Sequence, residues 1–160
     1  MNTRINNLRA STSENNPPAR IRFEELLPKN TNVTGITDHR MVRRSIRFIA
    51  QNFCRPIQVA DMASASGMSR RGFLKAFRKH VGLNPGKILR HARIEYAKRL
   101  LTEHDLPLRS IAGECGYRSQ NTFCVAFQRT TGMSPKQFQR QTWLDTWRNY
   151  SRLKKATVGQ

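Results

Sequence analysis

Cysteine and acidic residues are both scarce in this 160-residue chain, and each scarcity removes a class of function. The three cysteines, Cys54, Cys115 and Cys124, are too few for a disulfide framework, and their spacing matches no zinc-ligand pattern. The histidines His39, His80, His91 and His104 fall at no ligand-like distance from them, so neither a metal nor any other cofactor is expected. Paired carboxylates, a glycine-rich phosphate loop and nucleophile–base spacings are missing as well, which argues against an enzyme. No apolar run approaches the ~18 residues of a spanning helix, and no signal-type stretch follows the N-terminus. A cytoplasmic, nucleoid-located protein without a membrane partner is the expectation. No segment alternates with period two in β-branched residues, so an all-α fold is expected.

What the chain has in excess is positive charge. Lys and Arg number 29 against 10 Asp and Glu, a formal net charge of +19. Residues 1–40 hold six basic and four acidic groups, which leaves 23 basic against six acidic in the remainder. A polyanionic partner is the first inference.

Residues 1–36 are rich in Asn, Thr and Ser, contain Pro17-Pro18, and read as a disordered or weakly ordered arm, with a turn at Phe23–Leu27 able to pack on the domain. From a cap at Asp38, apolar residues recur at Val42, Ile46, Ile49 and Phe53, which is helical spacing, and Pro56 marks the exit. A short helix ends at Gly67, and another begins after Ser69 and closes at Gly82. Within the latter, Gly72 reads as an unusual helix-interior residue. Pro85 opens a longer helix to about Thr102, roughly 27 Å at the helical rise. Leu108–Cys115 comes after Pro107, Ser119 caps Gln120–Thr130, and Pro135 begins a last helix that reaches Gln139 or continues to Trp147. Residues 37–142 form the expected domain, and 143–160 a helical extension and basic tail. Tyr96, Trp143 and Trp147, at helical spacings, read as packing residues.

The decisive pattern is an internal repeat. Ala63-x-x-x-Gly67-Met68 returns as Ala112-x-x-x-Gly116-Tyr117 at an offset of 49. Phe73-x-x-x-Phe77 returns as Phe123-x-x-x-Phe127, and Gly82-Leu83-Asn84-Pro85 as Gly132-Met133-Ser134-Pro135, at an offset of 50. A small residue lets two helices approach, Gly takes the backbone conformation that ends the first helix, and the apolar residue after it plugs the corner. Two such corners, about 57–80 and 107–130, each leading into a polar or basic helix, make tandem helix-turn-helix motifs joined by the helix 85–102.

On these residues the chain resembles the AraC/XylS family of transcription regulators from about His39 to Gln139. The spacing Arg93-Ile94-x-x-Ala97-x-x-Leu100-Leu101 is similar to that family's linker helix, and so is Ile111-Ala112-x-x-Cys115-Gly116-Tyr117-x-Ser119-x-x-x-Phe123-x-x-x-Phe127 to its second motif. The resemblance implies a seven-helix domain of two helix-turn-helix lobes. It further implies recognition helices in successive major grooves, and an activator that recruits RNA polymerase. A repressor, or a nonspecific nucleoid-associated protein, stays open as the alternative. The separate sensing or dimerisation domain of most members has no counterpart in residues 1–36, and binding to double-stranded DNA as a monomer is expected.

In the first recognition helix, Phe73, Ala76 and Phe77 face inward. Arg71, Leu74 and Lys75 are expected at base edges, the basic pair on guanine and Leu74 on a thymine methyl, with Arg70, Arg78 and Lys79 on phosphates. In the second, Phe123, Ala126 and Phe127 face inward. Gln120, Asn121, Cys124 and Val125 are expected at bases, the two amides suiting adenine, with Arg118, Ser119 and Gln128 on phosphates.

Overall fold

Backbone capping sets where each helix begins and ends. The computed structural model describes residues 22–32 and 39–158, and the backbone there forms helices without strands. Helix α1 spans Arg40–Asn52. The cap expected at Asp38 is instead His39, whose Nδ1 accepts from the Val42 amide at 3.4 Å; Asp38 itself lies outside the described residues. Helix α2, Val59–Ala65, starts in a capping box in which the Gln58 amide donates to Asp61 Oδ2 at 2.7 Å. Helix α3, Arg70–Val81, is capped by Ser69 and ends at Gly82 in the left-handed region, φ 78°. Gly72 sits in its first turn, where its amide donates to the Ser69 hydroxyl, so it does not interrupt the helix interior.

Helix α4, Pro85–Glu103, is capped by the Asn84 side chain and has proline at its start. It buries Ile88, Leu89, Ala92, Ile94, Tyr96, Ala97, Leu100 and Leu101, which lie nearly all round its circumference. Such a helix must be covered on several sides, and α4 is: it meets α3, the second lobe's helices and an N-terminal turn. Helices α5, Leu108–Glu114, and α6, Gln120–Thr131, form the second corner, and α7, Pro135–Val158, runs past the expected end at Gln139 or Trp147 and takes in most of the stretch expected as a basic tail. Helices α1 to α3 pack on one another as the first lobe; α5 to α7 form the second, with α4 shared.

The two corners are the same motif in backbone terms. The Met68 amide donates to Ala63 O at 3.1 Å and the Tyr117 amide to Ala112 O at 2.9 Å. Gly67 donates to Ser64 O and Gly116 to Gly113 O, each at 2.9 Å. These are the two bonds of a Schellman termination, and both glycines take positive φ, 67° and 74°. Ala63 and Ala112 are each 2% exposed, and Phe73, Phe77, Phe123 and Phe127 are wholly buried. The repeat read in the sequence is therefore a repeat in space.

The turn expected at Phe23–Leu27 packs on the domain: Phe23–Leu26 forms a 3-10 turn whose Leu26 is fully buried. Phe23 lies against the Phe53 ring, Glu25 pairs with Arg99 at 2.6 Å, and the Asn32 amide donates to Val81 O. Three apolar side chains, Phe23, Leu26 and the partly buried Leu27, together with that ion pair and hydrogen bond, hold the segment. The rest of the arm lies outside the described residues. A correction concerns Trp143 and Trp147, expected to pack. Tyr96 does so, at 6% exposed, but the tryptophans are 65% and 57% exposed and stack on each other at 6.1 Å.

Candidate nucleic-acid interface

Helices α3 and α6 each bury one phenylalanine pair and turn the opposite face outward. On α3 that face carries Arg71, Lys75 and Arg78, all exposed, with Leu74 half-buried between them and Arg70 and Lys79 at its margins, also exposed. Residues spaced by three, four and seven share one side of a helix, so these side chains form a continuous stripe. On α6 the repeat-related stripe is Asn121, Cys124, Val125 and Gln128, in which Asn121 and Gln128 are exposed, Val125 is 50% exposed and Cys124 is half-buried. Gln120 extends it and is exposed. Every position of one stripe maps onto the other at the offset of 50.

The remaining expected positions sit at the start of α6. Arg118 is exposed just ahead of the helix. Ser119 is its cap: the hydroxyl accepts from the Thr122 amide at 3.2 Å and lies 2.9 Å from Thr122 Oγ1. Its side chain is thus engaged within the protein while the residue stays exposed.

A basic cluster not expected from the sequence lies where α3 runs into α4. Arg78, Lys87 and Arg90 line one open concavity together with Gly82, Leu83, Asn84 and Gly86. Its signal is Lys87-x-x-Arg90, two cations on one side of the linker helix; treating that helix as a spacer hides it. The second lobe has a related concavity, lined among others by Gly132, Met133, Gln137 and Arg140.

Chemistry inside the domain is quiet. Burial pushes the Cys54 thiol up to about 12, Glu114 adding to the effect and Arg93 opposing it. Cys115 is raised well above its ordinary value, again by burial first. Neither is a nucleophile near neutrality. Where the two lobes touch, Arg93 is 9% exposed; its Nε donates to Phe53 O at 2.8 Å and its Nη2 to Arg55 O at 2.5 Å. Its guanidinium lies 5.3 Å from the centroid of the Tyr117 ring. No helix of the described residues is long and apolar enough to cross a membrane.

Two capped helices of this kind, each behind a Schellman corner and each turning a polar or basic stripe outward, match a known family model: a helix-turn-helix domain covers residues 62–141. The chain belongs to the AraC-type helix-turn-helix family. An AraC-like transcription regulator of Streptomyces antibioticus is 33% identical over 108 residues, 68% of this chain and 35% of that protein. The transcriptional activator RhaR of Klebsiella pneumoniae is 32% identical over 94 residues, 59% of this chain and 34% of that protein. The DNA-binding domain of AdpA, solved in complex with a target DNA, superposes with a TM-score of 0.59 at 28% identity, covering 64% of this chain and 91% of that one. The chain thus spans about a third of the length of the curated AraC-type relatives it matches. It carries an AraC-type DNA-binding domain, and the family is one of transcription regulators rather than enzymes.

Proposed function

We propose that a single chain reads one asymmetric duplex site, with α3 in one major groove and α6 in the next on the same DNA face. The observation that carries this is the position-for-position repeat of an outward stripe on two equivalently capped helices whose side chains differ. Arg71, Leu74 and Lys75 read one half-site, with Gln120, Asn121, Cys124 and Val125 reading the other. Arg70, Arg78, Lys79, Arg118, Gln128 and the main chain at Ser119 position the protein on phosphates, joined by Lys87 and Arg90 beside Arg78. A homodimer of single motifs carries a two-fold axis that imposes matching half-sites; a tandem pair does not.

The regulatory sign we infer is activation through contact with RNA polymerase, supported by the activator named among the relatives. The reading of DNA is tested by selecting preferred sites from random duplexes and then assaying variants across a site library. Arg71→Ala and Asn121→Ala are expected to lose about 1–3 kcal/mol at one or two base positions and relax preference there. Arg78→Ala is expected to weaken all sequences alike. Uniform loss in all three would contradict the base assignments, and a wild-type chain without preference at physiological salt would indicate nonspecific binding driven by its charge.

A further inference from the structure

A pair of reading heads is only as selective for half-site spacing as the joint between them is stiff. Continuity of α4 does not by itself supply that stiffness, because each lobe packs on it through apolar side chains, and apolar contact is non-directional. Directional contacts from α4 to both lobes meet at one residue. Arg93, midway along α4, reaches back to the first lobe with two hydrogen bonds, to Phe53 O and Arg55 O just past the end of α1. The central carbon of the same guanidinium lies over the ring of Tyr117, the plug of the second corner. A guanidinium presents its N–H donors in a rigid fork, so two carbonyl acceptors and an aromatic ring beneath the cation together constrain an orientation as well as a distance.

The rest of the junction is equally close. A Cβ on Gly116 would come within 2.7 Å of Arg55 O, 2.8 Å of Phe53 O and 2.9 Å of the Cys54 carbonyl carbon, so the second corner is seated directly on the chain segment that Arg93 grips. The first corner has no such neighbour, since a Cβ on Gly67 would meet only Met41 Cε at 3.5 Å. Arg93 is held by two carbonyls and an aromatic face, and among the described residues it makes no ion pair with a carboxylate. A buried cation held in this way is a costly means of filling space, and it makes sense as a device for orientation. The Tyr117 hydroxyl, by contrast, is buried with no hydrogen-bond partner, so the ring rather than the hydroxyl is what the junction uses.

We propose that Arg93 is a positioning residue for DNA recognition: by clasping the end of α1 to the second corner it fixes the spacing and rotational phase of α3 relative to α6, and so sets which half-site spacing the chain accepts. The assignment rests on the two-groove reading above. Lysine cannot replace it, because a point charge on a flexible stem has no rigid fork with which to hold two carbonyls at once.

The test uses the full chain, Arg93→Lys, Arg93→Met and Tyr117→Phe, with far-ultraviolet circular dichroism to establish that each is folded. Sites are selected from random duplexes, and affinity is then measured for the best site and for versions with one base pair added or removed between half-sites. For the wild type, the one-pair change is expected to lower affinity about tenfold or more, the scale of a mismatched pair. In Arg93→Lys and Arg93→Met that penalty is expected to fall to about threefold or less while base preference inside each half-site persists, since the recognition helices are untouched. Tyr117→Phe keeps the ring and is expected to keep the wild-type profile. If Arg93→Met is unfolded, Arg93→Lys decides. A wild-type spacing penalty in the folded Arg93 variants would overturn the assignment. A wild-type chain that selects no bipartite site would overturn the two-groove reading itself, and the assignment with it.

Discussion

Gly67 and Gly116 occupy the same place in the two corners and have different surroundings, which separates two costs that are usually confounded. Both adopt positive φ, so alanine at either strains the backbone by roughly 1–2 kcal/mol. At Gly67 the added methyl has room. At Gly116 it would also be driven into the carbonyls of residues 53–55, and overpacking of that kind costs about 1–3 kcal/mol more. Chemical denaturation should therefore rank Gly116→Ala well below Gly67→Ala; equal losses would mean that the lobes are not in contact at this corner. The thiols offer a second residue-scale prediction. Cys54 and Cys115 are buried and held protonated by that burial, while Cys124 is half-exposed on the outward side of α6. A thiol reagent at about pH 8 should modify one cysteine rapidly in the native chain and all three in denaturant. Three fast thiols in the native chain would contradict the packing at the junction. The junction also marks what could not be read from sequence: Arg93 sits in a recognisable linker pattern, but nothing in spacing says that its partners are carbonyls forty and thirty-eight residues earlier.

Among the elements, helix boundaries were the most legible because the residues that set them act locally. Ser69, Ser119, Pro85, Gly82 and Gly132 each do in the structure what their chemistry implies at a helix end. Helix α7 was less legible. Its Trp143, Trp147 and Tyr150 are repeat-related to Arg93, Ala97 and Leu100 of α4, at the offset of 50. On α4 those positions are 9%, 0% and 7% exposed because lobes pack around it, whereas on α7 they are 65%, 57% and 54% exposed. Spacing reveals which side chains share a face, but it does not reveal whether anything covers that face. Since both tryptophans of the chain lie there, selectively excited tryptophan fluorescence reports on this helix alone. Emission of the native chain should resemble that of free tryptophan in water, be readily quenched by acrylamide, and shift little on unfolding. A blue-shifted native spectrum that moves to the red in urea would show that the face is covered.

For the whole molecule, a net charge of +19 guarantees attraction to DNA of any sequence and cannot by itself supply recognition. What distinguishes this chain from a basic coat for DNA is that two unlike stripes are carried by one body at a fixed separation, along a helix, Pro85–Glu103, nearly as long as one turn of duplex. The all-α class and the tandem motifs were evident from the repeat, because helix-turn-helix corners carry their signature within a few residues. The packing of Lys87 and Arg90 beside Arg78 and the clasp at Arg93 depend on contacts distant in sequence and emerge only in three dimensions. The central claim is tested most directly by measuring, at physiological salt, the affinity of the chain for its selected site and for the same site with about five base pairs inserted between the half-sites, which turns one half-site to the opposite face of the duplex. Loss of most of the sequence-specific affinity, with one chain bound per intact site, is the predicted result. Affinity unchanged by the insertion, or two chains on a minimal intact site of about two helical turns, would contradict it.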